Sequence, residues 1–272
     1  MNLEEIIEFA FRVNNIEKNA QGYCAKTKES IKKDILASIE NNSIYLSVLN
    51  NKINGLLVCL KNEERKICDS FMLIESDDYD EIAFDLFKNL KDKEYNYNFF
   101  FPIQNENCRN FLEKMDATKE INEYQLLIEK KDFTTYNLNF DNISKIKEAE
   151  NEGFTKLFNE IFEDIYISAL DILTDHNHET YIMTKNDEIV ALSVLRKNQG
   201  TCGTAEVIGV KQEYRGMGNG KKILSYLLKE ALKTYEKVDL IVDGDNYNAI
   251  KLYTGIGFKL INELCFYKYK VK

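Results

Sequence analysis

Val210-Lys211-Gln212-Glu213-Tyr214-Arg215-Gly216-Met217-Gly218-Asn219-Gly220-Lys221 is the stretch that decides how this 272-residue chain folds. The apolar run Val207 to Val210 has the composition of a strand, and three glycines follow on alternate positions. Beyond them Ile223, Leu224, Leu227, Leu228, Ala231 and Leu232 recur at helical spacing. Strand, glycine turn and amphipathic helix in this order gather free backbone N–H groups and the positive end of a helix at one point. The arrangement predicts an anion site whose natural ligand is a phosphate or pyrophosphate.

Two common glycine loops fit poorly. A P-loop needs Gly, four residues, then Gly-Lys-Ser/Thr, but Arg215 takes the place of its first glycine and Lys222 that of its hydroxyl residue. A dinucleotide fingerprint needs its third glycine where Lys221 stands, and it normally opens a series of βαβ units. Here the loop begins about 60 residues from the last residue, with room for one more helix and two strands.

Arg215-Gly216-x-Gly218-x-Gly220 after a strand closely resembles the acyl-CoA pyrophosphate loop of the GNAT acetyltransferase superfamily. Downstream, Asp245-Asn246-Tyr-Asn-Ala249-Ile250-Lys-Leu252-Tyr253-Thr-Gly-Ile-Gly257-Phe258 resembles that superfamily's strand-end Asn, its helix bearing Leu-Tyr, and its Gly-Phe turn. The resemblance covers roughly residues 134–272. It implies an α/β (α+β) fold with a mixed, mostly antiparallel twisted sheet flanked by helices. It also implies acetyl-CoA as a substrate, no metal, and an amine that attacks the thioester directly with both partners bound.

By that resemblance the backbone N–H groups of Gly216, Met217, Gly218, Asn219, Gly220 and Lys221 hold the pyrophosphate, with Arg215 and Lys221 adding charge. The backbone of Ile208 and Val210 would pair with the extended pantetheine arm as an added strand does. Tyr253 would be the general acid that protonates the departing thiolate. Asn246 would bind pantetheine or position the helix after it, although an Asx cap of that helix accounts for it equally well. Glu206 is the candidate general base, placed by strict period-two alternation on the face of Ile208 and Val210. On a strand, a glutamate can equally be a solvated or paired side chain. Asp171, Asp175, His176, His178 and Glu179 hold both histidines of the chain. They are read as a polar turn near the acceptor side, or as a recognition patch for a cationic amine, in preference to a metal site.

A gapless match at an offset of 136 relates Tyr45–Leu60 to residues 181–196, and each segment reads as a strand, an Asn-rich turn and a strand. At an offset of 141, Asn105-x-x-Cys108-x-x-Phe111-Leu112 parallels Asn246-x-x-Ala249-x-x-Leu252-Tyr253. Two tandem GNAT-like domains follow: residues 1–133, degenerate and without a phosphate loop, and residues 134–272, catalytic and acetyl-CoA-binding. The boundary falls near Lys130–Thr135. In place of glycines the first copy has Glu75-Ser-Asp77-Asp78-Tyr-Asp80-Glu81, carboxylates that suit a helix N-terminus and repel a pyrophosphate.

The net charge of −9 argues against nucleic acid or an anionic membrane as partner. Residues 1–133 carry −7 of it, and that acidity could draw a cationic acceptor. Six scattered cysteines without a Cys-x-x-Cys pair, short apolar runs and no signal-peptide pattern predict a soluble cytoplasmic protein. The leading function is an N-acetyltransferase acting on a small-molecule or peptide amine. The alternative is a non-catalytic acyl-CoA-binding sensor or interaction module. Nothing in the sequence separates a monomer from a homodimer.

Overall fold

Short asparagine turns set the plan of the chain twice. The computed structural model describes residues 2–134, 138–163, 165–198 and 200–272; Thr135, at the end of the expected boundary segment, lies outside the described residues. The first copy begins with helices α1 (Leu3–Asn14) and α2 (Lys28–Glu40). Strands β1 (Ile44–Leu49) and β2 (Lys52–Asn62) then form a hairpin turned by Asn50 and Asn51, with φ of 50° and 61°. Asparagine tolerates this left-handed backbone, and paired positive φ matches the twist of the flanking strands. β3 (Ile67–Ile74), α3 (Tyr79–Phe87), β4 (Asn96–Pro102), α4 (Glu106–Lys114) and the short β5 (Thr118–Lys119) follow.

The second copy repeats the order. After β6 (Glu123–Glu129), the last strand of the first copy, β7 (Ile143–Lys145) leads to α5 (Asn151–Ile161), α6 (Ala169–Thr174) and the hairpin of β8 (His178–Lys185) and β9 (Glu188–Arg196). Its turn residues, Asn186 and Asp187, have φ of 49° and 62°. The repeat extends to irregularities: β1 shifts register between Ser47 and Val48, and β8 between Met183 and Thr184, the same positions at the offset of 136. β10 (Cys202–Val210), α7 (Asn219–Ala231), β11 (Lys237–Asp243), α8 (Tyr247–Thr254) and β12 (Lys259–Lys270) complete the chain.

The compact units are Met1–Glu123 with Asn262–Lys272, and Tyr124–Ile261. The repeat boundary at residues 133 and 134 is a different division, because it gives each copy its own last strand. In the first unit the strand order is β1-β2-β3-β4, then residues 262–270 of β12, which run antiparallel to β4 from Leu264↔Pro102 to Lys270↔Asn96. In the second it is β6-β11-β10-β9-β8-β7. Each sheet carries one pair of helices on each face. In the first unit, α1 and α2 bury Ile6, Phe9, Val13, Ile31 and Ile35 on one face, and α3 and α4 bury Leu86, Phe87, Phe111 and Leu112 on the other. In the second, α5 and α6 bury Phe154, Phe158 and Ile172 on one face. The stripe Ile223, Leu224, Leu227 and Leu228 of α7 is fully buried on the opposite face, each residue contributing roughly 1.5–3 kcal/mol relative to exposure.

The final strand is core to the first unit. Tyr267 is 0% exposed, its ring stacks on Phe101 at 5.8 Å, and its hydroxyl donates to Glu113 at 2.8 Å. Tyr267→Ala is therefore expected to destabilise the first unit by about 3–5 kcal/mol in urea denaturation. A loss below about 1 kcal/mol would mean this strand does not complete that sheet in solution.

Candidate active site

At the end of β10 the chain makes a one-turn 3-10 helix, Gln212–Tyr214, and then turns through Gly216 and Gly218 into α7. Both glycines are left-handed, φ 75° and 79°, and a Cβ on either would meet nothing within 4 Å. Backbone conformation, not space, requires glycine there. Gly220 differs. It lies inside the first turn of α7, and a Cβ would come 3.3 Å from Leu252 Cδ2 and 3.7 Å from Val210 Cγ2, so strand end, glycine turn and α8 converge at this point.

Gly218 is the N-cap, and no side chain caps the helix. Among the described residues, no protein acceptor takes the N–H groups of residues 216–221, the bare donors an anion site needs. Arg215 Nε donates to the Val210 carbonyl at 2.9 Å, which tethers the guanidinium beside the turn. Lys221 is exposed on the first turn. Asn219 is buried and braces the loop by donating from Nδ2 to the Tyr214 carbonyl at 2.8 Å. Met217 is 66% exposed at the tip.

Immediately before this turn the sheet forks. β10 pairs in parallel with β11 only over Cys202–Thr204 and residues 237–239. The fork is clasped at its base: Thr204 Oγ1 donates to Asp239 Oδ1 at 2.6 Å, and Gln125 Nε2 donates to Asp239 Oδ2 at 3.0 Å. From Ala205 to Val210 the strand keeps β9 on one side and, among the described residues, has no strand partner on the side of β11. An unpaired strand edge of this kind can accept an extended ligand as an added strand. Ile208 and Val210 pack their side chains against the α7 core.

On α8, Asn246 is the N-cap, and its side-chain oxygen accepts the Ala249 N–H at 3.2 Å. Asn105 does the same at the head of α4, accepting from Cys108 at 3.2 Å. Capping is thus the role both copies share. Tyr253 is 8% exposed in the α7 core, and burial pushes its phenol up to about 12.

Glu206 departs from the sequence expectation. β10 bulges between Ala205 and Val207, where Glu206 is the extra residue: Ala205 pairs with Leu195 and Val207 with Val194. The bulge breaks the alternation, so Glu206 does not share the face of Ile208 and Val210. Its partner His178 lies on β8 in phase with Ile182, which belongs to the core beneath α5 and α6, as does Val207. His178 Nε2 is 2.6 Å from Glu206 Oε2, and the side chains are 5% and 4% exposed. Tyr166 donates its hydroxyl to Glu206 Oε1 at 2.6 Å, and Arg196 Nε lies 3.5 Å from the same oxygen.

The rest of the acidic and histidine cluster disperses. Asp171 completes a capping box with Ser168 at the head of α6, Asp175 accepts from Asn177, and Glu179 pairs with Lys145 at 2.7 Å. Among the described residues no three His, Cys, Asp or Glu side chains are arranged to hold a metal. Sequence reasoning missed the His178–Glu206 pair because 28 positions separate the two. A usable signal was the juxtaposition Val207-Ile208 inside an otherwise alternating strand, which marks a bulge.

The first unit forks in the same way, since β3 and β4 pair only from Ile67↔Asn96 to Ser70↔Phe99. Its fork is occupied by its own chain: Gly22 donates from its N–H to the Phe100 carbonyl at 2.5 Å, and Asn105 Nδ2 donates to the Ala20 carbonyl at 3.0 Å. Gln21 between them is fully buried. At the head of α3, Glu75 is ion-paired with Arg12 and Asp80 with Lys114.

Residues 143–258 match the model of the acetyltransferase (GNAT) family. Over 72 residues the chain is 36% identical to a mycothiol acetyltransferase of Kineococcus radiotolerans, covering 26% of this chain and 23% of that one. The match thus spans less than a quarter of that relative's length. In fold the chain is similar to a GCN5-related N-acetyltransferase from Sphaerobacter thermophilus, with a TM-score of 0.77 over 98% of this chain and 91% of that chain, at 11% identity. It is also similar to a tandem GNAT protein from the clavulanic acid biosynthesis pathway, with a TM-score of 0.63 over 98% and 94% of the two chains, at 10% identity.

The two kinds of glycine separate experimentally. Gly218→Ala forces a left-handed alanine and should lower stability by about 1–2 kcal/mol in chemical denaturation. Gly220→Ala, at helical angles, gains propensity against one tight contact and should change stability by less than about 1 kcal/mol. Equal losses at the two positions would contradict the assignment of strain to Gly218.

Proposed function

We propose that this chain, whose residues 143–258 form a GNAT-family acetyltransferase domain, moves an acetyl group from acetyl-CoA to a primary amine by direct attack in a ternary complex. The observation that carries the proposal is the uncapped glycine turn at the head of α7, set beside the fork of β10 and β11. One feature fits a pyrophosphate and the other an extended pantetheine arm, and they are contiguous in the chain. The N–H groups of residues 216–221 bind the diphosphate with Arg215 and Lys221, and the backbone of Ile208 and Val210 pairs with the arm. Asn246 acts by capping α8 and so placing Tyr253.

In the reaction the amine nitrogen attacks the thioester carbonyl carbon, the C–N bond forms and the C–S bond breaks. Glu206 takes the proton lost by nitrogen, and the thiolate takes the phenolic proton of Tyr253. With its phenol near 12, Tyr253 is fully protonated across the neutral range. Burial that raises the phenol also raises the basicity of a thiolate beside it, so transfer between them stays feasible. A thioester threaded through the fork is open to both faces of the sheet, which lets Tyr253 and Glu206 act from opposite sides.

The first unit is proposed as a degenerate copy that serves as scaffold or substrate cleft. Carboxylates crowd the head of its α3, and residues 20–22 fill its fork. Its acidity favours a cationic acceptor. The relative named for mycothiol, not for a protein, favours a small-molecule amine. Six free thiols, five of them buried, accord with a reducing cytoplasm.

Calorimetry with acetyl-CoA and a thiol-release assay with spermidine, kanamycin and lysine test the reading. Acetyl-CoA binding with amine-dependent release is expected. Binding without release from any acceptor would leave an acyl-CoA-binding module, and no binding would remove both readings. Tyr253→Phe is expected to lower kcat at least about tenfold, with acetyl-CoA affinity within about twofold of the parent. Unchanged turnover would exclude Tyr253 from proton transfer.

A further inference from the structure

We propose that His178 is a positioning residue that fixes the Glu206 carboxylate so that Oε1 faces the acceptor amine. The inference rests on the acetyl-transfer reading above and assigns a role to a histidine that lies outside the glycine turn, the fork and α8.

Four observations converge. Glu206 is the extra residue of the β10 bulge, and a bulge re-aims the side chain it carries. The carboxylate is almost wholly buried, which is costly unless donors satisfy it. Its two oxygens are held unequally. Oε2 lies 2.6 Å from Nε2 of His178, a ring 5% exposed at the first position of β8. Oε1 instead receives the hydroxyl of Tyr166, a side chain 66% exposed on the loop between α5 and α6, and has the half-exposed Arg196 guanidinium 3.5 Å away. The buried partner is therefore the fixed one, and the exposed partners are the ones an incoming amine can displace.

The other ring nitrogen completes the geometry. His178 Nδ1 lies 3.3 Å from Asp175 Oδ2, but out of line for a hydrogen bond, and it has no hydrogen-bond partner among the described residues. The ring is thus anchored by packing and by the single bond to Glu206. With Nε2–H donating to Oε2, the carboxylate is held in one rotamer, while Oε1 is left to accept one proton from the attacking nitrogen. That step moves a proton from N to O and needs no other reactant.

The chain has two histidines, which makes the test direct. With the best of spermidine, kanamycin and lysine as acceptor, His178→Ala is expected to lower kcat at least about tenfold, with acetyl-CoA affinity within about threefold. Imidazole added to the buffer should restore part of that loss. His178→Gln, which keeps one neutral N–H donor, should fall between the alanine variant and the parent. His176→Asn should match the parent. Parental kcat in His178→Ala overturns the proposal, as does a kcat loss that follows unfolding and is not rescued by imidazole. A readout independent of turnover is the exchangeable imidazole proton shared with Glu206, expected far downfield in the NMR spectrum. It should persist in His176→Asn and vanish in Glu206→Gln. If no amine is acetylated, the acetyl-transfer reading fails by itself. The resonance then decides the pairing: its presence upholds the fixed carboxylate, and its absence in the parent overturns it.

Discussion

Where Thr204 donates its hydroxyl to Asp239, the sheet of the second unit stops being a sheet and becomes a fork. That contact joins the last residue pair shared by two parallel strands, and Gln125 reinforces it from β6. Everything proposed for the site follows from the parting of strands just beyond it. An unbroken parallel pair would satisfy the backbone of residues 205–210 from both sides and leave no edge for a ligand. Because the pair is broken, the unpaired edge runs straight into the glycine turn. Backbone donors for an extended chain and for an anion therefore lie end to end on one continuous stretch of polypeptide.

The same fork in the first unit shows what happens when it is not reserved for a ligand. Exposed backbone groups in a fork must find partners, and there the N–H of Gly22 supplies one within the chain, from a segment that Asn105 tethers through the Ala20 carbonyl. At the head of α3, carboxylates stand where the second unit has glycines. Two units with one topology thus differ in whether the chain itself fills the fork. This is a difference of loop composition over a few residues, not of fold.

What was legible in the sequence was local. The asparagine turns, the stripe on α7, the glycine turn and the helix caps at Asn105 and Asn246 depend on residues within a few positions of each other. The tandem repeat was visible because those local signals recur. The direction of Glu206 was not legible by strict alternation, since one inserted residue in β10 inverts the face of everything on one side of it. Nor was its bond to His178, which depends on the register of β8 against β9 and of β9 against β10. The placing of residues 262–270 in the first unit was equally hidden. Strand composition states that a segment pairs, but not which of two similar sheets receives it.

The buried pair of His178 and Glu206 bears on function through its energetics. Exchanging a buried hydrogen-bonded polar pair for apolar residues of similar shape is often neutral or stabilising, so stability alone gives little reason to keep one. Here the pair sits in a bulge, beside an unpaired strand edge, with one ring nitrogen unsatisfied. Each of these features costs stability, and a fold selected only for packing would remove them with a regular strand and an apolar side chain at position 206. Their joint presence beside the fork is what a site needs when it must hold one carboxylate oxygen ready while the exposed groups beside it, the Tyr166 hydroxyl and the Arg196 guanidinium, can be displaced.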